Sequence, residues 1–294
     1  MPDPLQIATA SVPGGGKTTD AIFSFLDGIF IHRIGGLTPA IQVVGRMPTW
    51  TMEASTLEEA TGHLDALTAL DSLDGAPAVI VDDVSLDSRD TIEGLRPFYP
   101  KVGDGVYEMW REVRARVDGL GQAAYDLIKK HRVHVVFTGH LIGRDVEHGH
   151  PAGLRIGSHA TAEPWAGAMS CLYILDKDGK DPRSWKGRYK VVQNDRWWAT
   201  KDRTGIVNPV APQNLAEILR ASGHTVPRAA GLEWMEEWVE AFAMEILAGK
   251  GYGTVRDAWE KQLADIDPHT RRWVRRDGYD RALIRSAFEA SLRD

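Results

Sequence analysis

Residues 11 to 19 read SVPGGGKTT, and their types and spacing are those of a phosphate cradle. Glycines let a backbone wrap a phosphate closely with successive N–H groups pointing inward, a lysine neutralises the outer phosphates, and a hydroxyl ligates magnesium. Gly14, Gly15, Gly16, Lys17, Thr18 and Thr19 are therefore the expected nucleotide-binding residues. Lys17 is expected to reach the β and γ phosphates, and Thr18 to hold the metal. Ser11 stands where the pattern G-x-x-x-x-G-K-[ST] has glycine, but the loop keeps its length. An apolar LQIATA in front and DAIFSFLDGIF behind supply the strand and helix such a loop needs.

A bound magnesium nucleotide needs an anionic partner at the end of a neighbouring strand. AVIVDD provides it: Asp82 is expected to hold the metal's water shell and Asp83 to activate the attacking water. VVFTGH places His140 just past another apolar run. If that strand lies between the loop strand and the Asp82 strand, His140 faces the γ phosphate and can report its presence.

The elements that must position these residues are short apolar runs at 5–10, 40–45, 77–83, 133–140 and 170–176, read as buried strands. Helical patterns lie between them at 17–29, at 56–70 behind a capping box of Ser55 and Glu58, and at 105–130, where Val106, Met109, Trp110, Val113, Val117 and Leu120 make one stripe. Alternating strands and helices imply a parallel sheet covered on both faces. WKGRYKVVQ and RWWATKD, separated by Asn194 and Asp195, read as an antiparallel hairpin extending it. A short helix at 213–222 and a linker follow, then an all-helical region. The expected division is a core of 1–227 and a helical region of 228–294.

SVPGGGKTT, AVIVDDVS, VVFTGH and ATKDRTGI followed by NLAEIL together resemble the RecA-like P-loop ATPases, and among them bacteriophage ATP-binding proteins related to single-strand-annealing recombinases. The resemblance spans residues 5 to 220. It implies a RecA-like α/β core with the sensor strand between the other two motif strands, hydrolysis of ATP with Mg2+, assembly into a homo-oligomeric ring or filament, and work on DNA. It also implies that Lys201 or Arg203 of KDRTG reaches a neighbouring subunit's nucleotide as a basic finger. The acidic residue after Asp82 departs from the serine common in the recombinase relatives, and no separate catalytic glutamate stands out. Adenine is favoured by elimination, since no N-K-x-D guanine reader is present.

With 41 carboxylates against 35 Lys and Arg, a formal charge of -6 excludes a general polycation, so nucleic acid must meet a local patch. Residues 183–203 hold seven Lys or Arg against two Asp, interleaved with Trp185, Tyr189, Trp197 and Trp198, a composition suited to single-stranded DNA. PHTRRWVRR at 268–276 is a second basic stretch, read more readily as a solvated helical face whose neighbours Asp267 and Asp277 offset the charge than as a second DNA contact. Residues 139–168 are read as a mobile loop after the sensor strand; its His148, His150 and His159 lack a convincing fourth metal ligand. The single Cys171 excludes an internal disulfide and fits a reducing, cytoplasmic setting, and no apolar run is long enough to span a membrane. Two rival readings stand beside a DNA-coupled ATPase: an ATP-binding scaffold with little turnover, and a packaging or helicase motor.

Overall fold

The structure is a computed structural model that describes residues 2–99, 103–178, 186–191, 200–205, 210–227, 232 and 234–292. The strands are β1 (Gln6–Ser11), β2 (Ile29–His32), β3 (Trp50–Glu53), β4 (Ala78–Asp82), β5 (His134–Ile142), β6 (Gly153–Leu154), β7 (Cys171–Asp178), β8 (Lys186–Lys190) and β9 (Val210–Pro212), and β1, β4, β5 and β7 are expected apolar runs. Among the described residues they form one sheet in the order β3-β2-β4-β5-β1-β7-β8-β9, with β6 beside β5. From β3 to β7 all neighbours are parallel, whereas β8, β9 and β6 join antiparallel. The fold is α/β: β5 separates the loop strand β1 from the Asp82 strand β4, the order expected from the sequence for a RecA-like core.

Parallel strands need helical crossovers, and these cover the sheet on both sides. Helices α1 (Lys17–Ser24), α3 (Leu57–Ala69), α4 (Val84–Leu95), α5 (Asp104–His131), α6 (His159–Ala168) and α7 (Leu215–Ala221) belong to this part of the chain, and α2 (Thr38–Val44) stands between β2 and β3 in sequence. Because side chains alternate along a strand, Ala8, Ala10, Val79, Val81, Val135, Phe137, Leu172 and Ile174 share one face. That face meets Leu57 and Leu64 of α3, Leu120 and Leu127 of α5, and Trp165 of α6. The opposite face carries Ser11, Asp82, Thr138 and His140.

Several expectations change. Residues 40–45 are not a strand; α2 starts at Thr38 with Pro39 in its first turn, where the missing N–H costs nothing. The expected helix at 17–29 stops at Ser24, and β2 follows a turn at Gly28, whose Cβ would lie 2.9 Å from the Ala78 carbonyl oxygen. The capping box at α3 sits one residue later: Thr56 accepts from the Glu59 N–H, and Glu59 accepts from the Ser55 N–H at 2.6 Å. The 139–168 segment is not an unstructured loop, since β5 runs on to Ile142, pairs with β6 and leads into α6. β8 pairs with β7 on one side and β9 on the other, and Lys201 bridges Leu172 of β7; residues 196–199 of RWWATKD lie outside the described residues. The turn at Asn194 and Asp195 and the rings of Trp185, Trp197 and Trp198 lie outside the described residues.

The chain separates into two compact units, one of residues 1–40 and 48–226, the other of 41–47 and 227–294. In the second, α8 (Trp234–Glu245), α9 (Tyr252–Asp265), α10 (Pro268–Arg276) and α11 (Tyr279–Ser291) bury Met235, Val239, Trp259, Leu263, Trp273 and Leu283. The basic stretch at 268–276 is α10, capped by Asp267. Three of its arginines are engaged within the unit: Arg271 donates to the Ala264 and Ile266 carbonyls, Arg272 to that of Val43, and Arg275 pairs with Glu260. That pattern matches a helical face more closely than a DNA contact. Among the described residues no helix is long and apolar enough to cross a membrane.

Candidate phosphate-binding site

β1 delivers the chain into a loop whose Gly14 and Gly16 have φ of 71° and 89°, a left-handed conformation that favours glycine. The loop closes through Gly15 N–H to the Val12 carbonyl at 3.0 Å, and α1 opens at Lys17 with no side chain capping its first amides. Those amides and the positive end of the helix dipole are left for an anion. Ser11 accounts for the missing motif glycine. It is fully buried, donates to the Val12 carbonyl at 3.0 Å, and its Oγ would lie 2.3 Å from a Cβ placed on Gly15. The serine thus occupies the room a side chain at 15 would need.

Parallel pairing sets Ser11 opposite His140 and Asp82 opposite Thr138, so the three strand ends converge beside the loop. Thr18 Oγ1 donates to both carboxylate oxygens of Asp82, at 2.9 and 3.1 Å, and Thr138 donates to Oδ1 from the other side. Burial, with Asp83 adding to it, raises the Asp82 pKa, against which Thr138, Lys17 and Thr18 pull it down. Asp83 caps α4, its Oδ1 accepting the Ser85 N–H at 2.8 Å and the Leu86 N–H at 3.3 Å. Its Oδ2 lies 3.1 Å from Lys17 Nζ and 3.3 Å from His140 Nε2. Burial lowers the pKa of His140 even though Asp83 opposes the shift, which favours a neutral imidazole.

Lys17, Thr18, Asp82, Asp83 and His140 are thereby brought together, with Thr19 half-buried in the first turn of α1. Lys201 and Arg203 are not brought to them. The antiparallel bridge of Lys201 to Leu172 leads the chain toward the start of β7, where the Arg203 backbone meets Cys171, at the end of the sheet away from the loop. Lys201 Nζ donates to the Gly167 carbonyl at 2.5 Å, and Arg203 is exposed. Cys171 is buried, as its apolar neighbours imply. Tyr189 is also buried, its hydroxyl on Asp20 of α1, so this ring packs inside and is closed to bases.

Three participants escaped the sequence reading. Gln213 Nε2 donates to the Gly16 carbonyl at 3.1 Å, bracing the loop from the sheet's antiparallel edge. Arg33, at the end of β2, pairs with Asp90 at 2.6 Å and Asp87 at 3.6 Å. Asp87 is buried, one turn beyond Asp83, and burial lifts its pKa to about 8 despite Arg33. No local pattern announces these residues, because each acts on a group far away in the chain.

No family model matches the chain, and no curated protein does. Among solved structures it is similar to the RadB recombinase, with a TM-score of 0.43 and 15% identity over 64% of this chain and 80% of that one. It is also similar to a KaiC-like protein from the hyperthermophilic archaeon Pyrococcus horikoshii OT3, with a TM-score of 0.39 and 13% identity over 64% of this chain and 79% of the other.

Proposed function

We propose that this chain binds ATP with Mg2+ at the loop of residues 11–19 and hydrolyses it. The supporting observation is a single constellation: an uncapped helix start behind a glycine cradle, with Lys17 and His140 meeting on one oxygen of Asp83 and Thr18 and Thr138 on Asp82. The donor set fits a hard cation, since Thr18 and Asp82 offer only oxygen. Thr18 and Asp82 would hold the magnesium ion, which when bound supplies charge neutralisation at the β and γ phosphates. Lys17 binds the outer phosphates, and on turning to them it leaves Asp83 Oδ2 free. Asp83 then takes the proton of the attacking water while His140, neutral and 3.3 Å away, orients it.

Coupling to single-stranded DNA is the biological setting we infer, in phage-type recombination, repair or replication. It is supported by the basic and aromatic composition of residues 183–203. Arg203, exposed and far from its own loop, suits action on a neighbouring subunit's nucleotide in a homo-oligomer. Steady-state ATP hydrolysis by wild type and Lys17→Ala, with and without single-stranded DNA, tests both levels. Turnover that DNA stimulates and the substitution abolishes supports the whole reading. MgATP binding with no turnover above that of Lys17→Ala sinks the hydrolytic mechanism and leaves an ATP-binding scaffold; turnover indifferent to DNA sinks the coupling alone.

A further inference from the structure

β5 and β6 form a short antiparallel ladder in which Leu141 faces Leu154 and Ile142 faces Gly153. The next pair is His140 and Arg155, joined by the Arg155 N–H donating to the His140 carbonyl at 2.8 Å. The return bond is interrupted: the Ser85 hydroxyl stands between, accepting from the His140 N–H at 2.8 Å and donating to the Arg155 carbonyl. Residues opposite one another in such a ladder project their side chains on the same face, about 4.5–5.5 Å apart at Cβ. Leu154 and Leu141 lie with the core that holds Val135 and Phe137. By alternation, Arg155 and His140 project on the opposite face, which carries Thr138, Asp82 and the phosphate loop.

The Arg155 side chain is exposed, and among the described residues no carboxylate pairs with it. Its charge is felt at His140, whose protonation it opposes. A guanidinium held by its backbone at the rim of a phosphate site, with no anion of its own, is placed to take one. Resting on the ATP-binding reading, we infer that Arg155 contacts the terminal phosphoryl group of the bound nucleotide, from the same subunit, on the side opposite Lys17. A γ phosphate would then be gripped by two cations, and loss of that group would release the Arg155 side chain.

The test measures equilibrium binding of MgADP and of a non-hydrolysable MgATP analogue to wild type, Arg155→Ala and Arg155→Lys, with single-stranded DNA binding in parallel. Expected is a loss of about tenfold or more in affinity of Arg155→Ala for the ATP analogue, with MgADP unchanged and partial recovery in Arg155→Lys. The two bonds that fix Arg155 use its backbone, so the ratio of the two nucleotide affinities separates contact from damage to the fold. An unchanged ratio overturns the inference while the ATP-binding reading stands. A loss confined to DNA binding also overturns it and reassigns the guanidinium to a nucleic-acid phosphate. Wild type that binds neither nucleotide overturns both.

Discussion

At the phosphate loop, a side chain at 15 and the hydroxyl at 11 compete for one space. Gly15→Ala is therefore expected to abolish nucleotide binding, and Ser11→Gly in the same chain to restore part of it, because the Val12 carbonyl still lies 2.9 Å from the added Cβ. Titration with a fluorescent ATP analogue across the four combinations checks this; strict additivity would refute the shared space. Asp87 gives a pH signature. Its folded pKa of about 8 stands above the ordinary 3.8, so the folded chain holds more protons and stability falls as pH rises through that window. Asp87→Asn removes the ionising group, so its stability relative to wild type should increase from pH 5 to pH 9. The shift bounds the gain at roughly 6 kcal/mol, at about 1.4 kcal/mol per unit. Denaturant melts at the two pH values measure it. The loop, Asp82, Asp83 and His140 were legible in the sequence because each is marked locally, by glycines or by a polar residue closing an apolar run. Ser11's role was not, since it depends on a backbone path that brings residue 15 back over residue 11.

The elements tie the site to the rest of the sheet through few bonds. Ser85, in the first turn of α4, bridges both sides of the β5–β6 ladder, and Ser88 one turn later accepts from the Gly157 N–H at 2.7 Å. Ser85→Ala leaves the His140 N–H and the Arg155 carbonyl without that partner, at a cost of about 1–3 kcal/mol. Hydrogen exchange should accelerate at His140 and over residues 153–157 more than in β1 or β4; uniform acceleration would argue against a local bridge. The same pairing explains what periodicity could not reveal. Residues 139–168 look irregular because a two-residue strand carries no pattern, and its partner β5 had already been counted as ended. The stretch at 40–45 reads as a strand by its apolar run, but Thr38 and Pro39 mark a helix start and decide the matter. β2 was hidden for the converse reason: its three apolar residues, Ile29 to Ile31, follow apolar Phe25 and Leu26 with only Asp27 and Gly28 between.

At the level of the whole chain, the parallel sheet followed from alternation of element types and the place of β5 between β1 and β4 from the family likeness, whereas the second unit's use of residues 41–47 did not. Trp273 is fully buried there, and its Nε1 donates to the Val44 carbonyl at 3.0 Å. Trp273→Phe strands that carbonyl and should destabilise by about 1–3 kcal/mol. Calorimetry should show a lower melting temperature while the affinity of the phosphate loop for MgATP is unchanged; a matching loss of affinity would contradict the division into two units. The sheet order also bears on the birth of the protein. β1 precedes the other strands in the chain, yet its neighbours are β5 and β7, beginning at His134 and Cys171. Strands β2, β3 and β4 can pair with one another long before it, and closing so long an intervening chain makes such a partnership slow. The stretch SVPGGGKTT is thus made well before the strands that wall it, and it cannot take its final shape until residues 134–176 have followed.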